Sequence, residues 1–168
     1  MRFLYFLMLL TLVVWLGGIL FFGAVLAPTL FSTLPSRELA GTVVTGSLAA
    51  LHWIGIGCGA VFLLASLAHS RMTTGAGGVM AWRHLLIIAM LALTLVSQYC
   101  VSPKMVALRR DMVQIDSVAP TDARRVEFNQ LHRWSTGLEQ AILLMGLAVL
   151  WGVAGVRGAD RGSSARAR

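Results

Sequence analysis

The chain has 168 residues, of which 57% are hydrophobic and only 12% are charged. A soluble domain carries about 25% charged residues, and a chain this short cannot bury so much apolar surface in a water-facing fold, so lipid must cover the rest. The net charge is +7, yet the Lys and Arg residues are scattered through short connectors and the C-terminal segment. No continuous basic face forms, which excludes a nucleic-acid partner and favours anchoring at an anionic lipid surface.

The first apolar block, Phe3 to about Phe31, is too long for a signal-peptide core of about 7–15 residues. It reads as a retained span over roughly 3–26, with Pro28 helping to turn the chain out of the helix. The connector from Ser32 to Gly46 is short and mixed. A second span, about 46–69, is interrupted only by His52. The glycine-bearing turn Ser70 to Gly78 leads to a third span, about 80–102, which ends before Pro103. A fourth runs over about 132–156 and contains Glu139 and Gln140. Each block approaches or exceeds the roughly 20 residues that cross the hydrocarbon core as a helix. The alternation of a membrane barrel is absent. The fold class is therefore all-α: an integral membrane four-helix bundle over residues 1–156.

Between spans three and four, residues 104–131 form an amphipathic connector. Met105, Leu108, Met112 and Ile115 recur at i, i+3, i+7 and i+10, with Arg109, Arg110 and Asp111 off that stripe. This segment continues span three past a kink at Pro103. After Ala119-Pro120, Thr121 caps a new helix with Asp122 in its first turn, and that helix runs on into span four. Helices 3 and 4 then extend beyond the membrane as a hairpin. A helix lying flat on the lipid surface is the alternative. Residues 157–168, rich in Gly, Ser, Ala and Arg, cannot build a core and read as a disordered basic tail. Basic residues divide evenly between the two sides. The tail and the Arg71/Arg83 connector favour cytoplasmic termini.

Whatever the orientation, spans one and three end, and spans two and four begin, on one side. Polar residues collect there: His52 on span two, Thr94, Ser97, Gln98, Tyr99 and Ser102 on span three, and His132, Ser135, Thr136, Glu139 and Gln140 on span four. His132, Ser135 and Glu139, at i, i+3 and i+7, share a face. A carboxylate at the bilayer centre costs a few kcal/mol on insertion scales, and less near the interface. Glu139, about one turn inside, should face the bundle, with His132, Gln98, Tyr99 or a backbone group of span one as partner. Gln98, Tyr99, Ser135 and Glu139 are thus the candidate polar cluster. One reading makes it a site for a cation, a proton relay or a cofactor; the other makes it a hydrogen-bonded network that fixes helix register.

His52 and His132 are candidate axial ligands for a haem b between spans two and four, or simply hydrogen-bonding residues. No other metal site is legible: Met105 and Met112 read as packing. Cys58 and Cys100 lie in apolar runs without metal-ligand spacing and read as small packed residues. Gly17, Gly18, Gly55 and Gly59 read as helix-packing positions, the last two forming a small-xxx-small pair on the His52 face. The tryptophans read as interface anchors or packing. With no nucleophile elbow, phosphate loop or HExxH motif, the function expected is a non-catalytic binding or accessory subunit among other membrane subunits. The alternatives are a haem- or metal-binding membrane protein using His52 and His132, and a small proton-coupled transporter using Glu139.

The opening Trp15-Leu-Gly17-Gly18-Ile-Leu-Phe21-Phe22-Gly-Ala-Val-Leu-Ala27-Pro28-Thr-Leu-Phe31 resembles the bacterial relatives of transmembrane protein 205, a domain family of unknown function. Phe128-Asn-Gln-Leu131-His132-Arg133-Trp134-Ser135 is similar to that family's second signature. The resemblance implies a four-helix membrane bundle and assigns no role to His132 or Ser135. The Trp-x-Gly-Gly opening more loosely resembles the copper-resistance membrane protein group and its haem-binding relatives, which keeps a cofactor in view.

Overall fold

The computed structural model describes residues 2–74, 82–112 and 117–166, with side chains described throughout these ranges except at 73–74 and 155–166. Among the described residues, six α-helices and two π-helical turns make four rods: α1 (Arg2–Phe21), a π turn (Phe22–Leu26) and α2 (Ala27–Thr33) form the first, and α3 (Arg37–Thr74) is the second. The third joins α4 (Trp82–Val96), a π turn (Ser97–Val101) and α5 (Ser102–Met112), and α6 (Ala123–Arg166) is the fourth. No strand occurs among the described residues. All four rods are long and apolar enough to cross a membrane.

Each rod packs on the next in chain order, and α6 closes the ring against α1. The centre is filled by Leu12, Trp15 and Leu16 of α1, Phe62 of α3, Ile87 and Met90 of α4, and Ile142 and Val149 of α6. Large apolar side chains such as Phe6, Val13, Leu64, Leu144 and Trp151 point outward. In water such a surface would drive aggregation; against lipid tails it is at no disadvantage. At the end remote from the polar cluster, the Tyr5 hydroxyl donates to the Val153 carbonyl at 2.8 Å, and Arg83 donates to Ser66 at 3.2 Å.

Glycines set the close approaches, though not all those expected. A Cβ at Gly55 would strike the indole of Trp15, one at Gly59 would come within 2.6 Å of Leu91, and one at Gly18 within 2.7 Å of Leu51. Gly17 has nothing near it and faces outward. Trp15 is thus a core residue filling the groove that Gly55 and Gly59 open, while Trp53, Trp82, Trp134 and Trp151 are exposed. Gly146 against Leu16 and Gly152 against Trp82 are further close approaches.

Both prolines inside rods follow a π turn. The Ala27 N–H donates to the Phe22 carbonyl and the Ser102 N–H to the Ser97 carbonyl, each bond reaching back five residues, immediately before Pro28 and Pro103. Proline has no N–H and its ring clashes with the preceding turn of an α-helix; the widened turn relieves that clash. Pro28 therefore does not turn the chain out of the first rod, which continues to Thr33. The reversal falls at Leu34–Pro35–Ser36. Ser36 then caps α3, its side chain accepting the Leu39 N–H at 3.1 Å, so the second rod starts nine residues before the expected 46. On the third rod, too, the chain passes Pro103 without ending.

The third and fourth rods extend past their apolar segments as an α5–α6 hairpin. Met112 is buried in it; Ile115, expected on the same stripe, lies outside the described residues, as do Gly75, Gly77 and Gly78. Asp122, rather than Thr121, occupies the capping position of α6, its side chain accepting the Arg124 N–H at 2.9 Å. α6 runs through the segment read as a basic tail as far as Arg166. Residues 167–168 lie outside the described residues.

Candidate functional site

Three rods converge on one buried imidazole. His52 of α3 is only 2% exposed. Its Nδ1 lies 2.7 Å from Oε1 of Gln98 and its Nε2 lies 2.8 Å from Oε1 of Glu139. Gln98 comes from the π turn of the third rod and Glu139 from α6. His52, a candidate haem ligand in the sequence beside His132, is here the hydrogen-bond partner of Glu139. The signal was available: His52 shares its face with Gly55 and Gly59, which aims it at the bundle interior.

An imidazole flanked by two oxygen acceptors satisfies both only as imidazolium. With the Gln98 amide turned about, a neutral ring accepts at Nδ1 and donates at Nε2. In both arrangements Nε2–H donates to the carboxylate. A charge-assisted bond of this kind, roughly twice as strong as a neutral one, offsets part of the cost of holding Glu139 within the span.

Glu139, 14% exposed, also lines a cavity of about 1190 Å³ to which all four rods contribute, the first, second and fourth most. Ile19, Phe22, Phe31, Leu48 and Leu143 supply apolar wall, and Ser135, Thr136, His132 and Gln140 lie along the α6 side. At the outer end the lining includes Arg37, Arg109, Arg125 and Glu38. Gln98 lines a second, smaller hollow of about 370 Å³ with Pro103, Val106 and Arg110. The Gln98–His52–Glu139 chain therefore has one end at each of two adjoining hollows, which share Thr45 and Ser102 in their walls.

Pro28 lines the larger cavity and Pro103 the smaller.

The remaining candidates divide. Ser135 is buried and lines the large cavity. Tyr99 is 59% exposed, because successive helical residues differ by about 100°: with Gln98 turned to His52, Tyr99 faces lipid. Thr94 is buried and bonds back to the Met90 carbonyl at 2.9 Å. His132 is exposed on the cavity side. It sits seven residues before Glu139, about 10 Å along the helix, and is not brought to His52. A haem iron bond at His52 would have to displace Gln98 or Glu139. Among the described residues, no three His, Cys, Asp or Glu side chains group to hold a metal ion.

Sequence reasoning passed over Arg109. Its guanidinium donates to Thr45 at 3.1 Å and lies 5.6 Å over the Phe128 ring. Only the absence of a side chain at Gly41 makes room, since a Cβ there would approach the guanidinium carbon to 2.9 Å. In sequence, Arg109 is one more charged residue off an apolar stripe.

No curated protein and no solved structure matches this chain. Residues 10–114, which include His52 and Gln98 but not Glu139, match the model of a domain of unknown function. Taken with four apolar rods of spanning length, that match makes this chain a multi-pass membrane protein of the DUF4149 family.

Proposed function

We propose that this protein is a non-catalytic binding subunit of the bacterial inner membrane, with both termini cytoplasmic, that holds a ligand in the larger cavity. One observation carries the reading: Glu139 both bonds the buried His52 and lines that cavity. A ligand reaching the inner end meets a carboxylate already oriented by its partner, beside Ser135, in a wall that is otherwise largely apolar. Ligand sites have this character, with few and fixed polar groups in an apolar concavity. The resemblance to the bacterial relatives of transmembrane protein 205 is compatible with such a role and assigns none of its own.

Native mass spectrometry of the full chain, extracted in mild detergent, tests this. The wild type is expected to carry a bound small molecule that Gly23→Trp expels. Gly23 lies in the cavity wall and has open space at its Cβ position, so the indole fills the cavity without disturbing the bundle. Identical occupancy in the two proteins overturns the reading.

The buried His52–Glu139 pair, with Gln98 orienting the imidazole, favours proton coupling as the second reading. An imidazole with a partner on each nitrogen can take a proton on one side and release it on the other. In proteoliposomes, Glu139→Gln would then abolish proton-linked flux while leaving assembly intact; unchanged flux removes this reading. The haem alternative, to which the looser likeness to the copper-resistance group belongs, predicts a Soret band lost in His52→Ala. A colourless, folded preparation removes it.

A further inference from the structure

The cavity's charge runs opposite to the needs of a wholly apolar ligand, and we propose that its occupant is an anionic phospholipid from the surrounding bilayer. Its phosphate sits at Arg109, and an acyl chain runs inward between the first and fourth rods. The inference rests on the cavity being the binding site proposed above.

Size and depth come first. At about 1190 Å³, the cavity exceeds the roughly 300–1,000 Å³ of drug-sized ligand sites. Its lining on α6 extends from Arg125 to Leu143, about 27 Å along the helix axis, enough to reach from the headgroup layer well into the hydrocarbon. The seam it occupies is loosely closed at this level. The first rod packs on the fourth through α1, while α2 packs on α3. Lipid therefore faces the gap between α2 and α6.

Charge selects the headgroup. Arg37, Arg109 and Arg125 line the outer end, with Glu38 close enough to Arg109 to offset part of that positive charge. Glu139 lies fourteen residues beyond Arg125 on the same helix, about 21 Å further in, and is paired with His52. A phosphate at the outer end therefore meets net positive charge and is remote from the buried carboxylate.

Arg109 is the group best placed to bind it. Thr45 and the Phe128 ring hold the guanidinium in place. Its one hydrogen bond among the described residues uses a single nitrogen. The remaining donors form the planar fork that suits phosphate oxygens, and little side-chain freedom is left to lose on binding.

The test is native mass spectrometry of the full chain with equimolar phosphatidylglycerol and phosphatidylcholine of matched acyl chains. One phosphatidylglycerol per chain is expected, favoured about tenfold. That preference should fall towards unity in Arg109→Gln and weaken in Arg125→Gln, while Glu139→Gln retains it. Excess inorganic phosphate should leave the lipid bound, because the acyl chain holds it. Helical content and melting temperature of each variant report whether the bundle is intact, and Arg125→Gln answers the question if Arg109→Gln does not fold. Equal binding of both lipids by the wild type overturns the headgroup assignment and leaves the cavity reading standing. So does a preference untouched by both arginine variants. Lipid retained undiminished in Gly23→Trp overturns the cavity reading itself.

Discussion

Nε2 of His52 on α3 and Oε1 of Glu139 on α6 lie 2.8 Å apart across the middle of the bundle, between two rods that do not pack on each other as neighbours in the ring. Removing one member of a buried pair leaves the other uncompensated, which costs about 3–5 kcal/mol. His52→Leu is therefore expected to destabilise the bundle by about that amount. Glu139→Gln keeps an oxygen acceptor for Nε2–H and should cost about 1 kcal/mol. The double variant His52→Leu/Glu139→Leu should be more stable than His52→Leu alone. Reversible unfolding of these proteins and of Glu139→Leu in mixed micelles measures this, and losses that add in the double variant would show that the pair is not coupled.

The groove that seats Trp15 gives a second expectation. A methyl at Gly55 enters the space of the indole, and overpacking of this kind costs about 1–3 kcal/mol. Gly55→Ala should lower stability accordingly, and Trp15→Phe in the same chain should recover part of the loss. Gly17→Ala, with open space around it, should change stability by no more than about 0.5 kcal/mol. The same unfolding assay compares them.

A third expectation concerns neighbours in sequence that face opposite ways. Gln98 reaches His52, whereas Tyr99 lies on the lipid side. Gln98→Ala leaves a buried ring nitrogen without its partner, a loss of about 1–3 kcal/mol. Tyr99→Leu should be nearly neutral. If Tyr99→Leu proved the more damaging, the orientation of the π turn would be wrong.

That contrast shows what the sequence could and could not reveal. Span number, the long third and fourth helices and the side on which polar residues gather all follow from hydropathy and from helix direction, which are one-dimensional properties. Which member of Thr94, Gln98 and Tyr99 meets His52 depends on the rotation of the third rod. The π turn at Ser97–Val101 resets that rotation. A proline announces that the local hydrogen bonding must change, but a kink, a stop and a widened turn all meet its requirement, and packing chooses among them. The same ambiguity placed the end of the first rod too early at Pro28. The cavity was illegible for a related reason: its outer lining, Arg37, Arg109 and Arg125, comes from three separated segments, α3, α5 and α6, that share a cavity only in the folded bundle.

The start of α6 supplies a pH-dependent expectation in a part of the chain outside the spans. Asp122 accepts the Arg124 backbone N–H at 2.9 Å, and its carboxylate also receives the Arg124 guanidinium through bonds of 3.1 and 2.9 Å. These contacts, the side-chain bond foremost, hold its pKa down to about 2, below the ordinary aspartate value of about 3.9. The folded state therefore binds a proton here less readily than the unfolded state, and the cap contributes its full stabilisation above about pH 4. As pH falls through the folded value, the carboxyl is neutralised and that contribution is lost. The Arg124 amide resonance in the full-length protein in micelles should titrate with a midpoint near 2, and Asp122→Ala should abolish the transition while speeding hydrogen exchange at the first turn of α6. A midpoint near 3.9 would mean that the carboxylate does not cap the helix, and the entry of α6 into the cavity wall would then need another anchor.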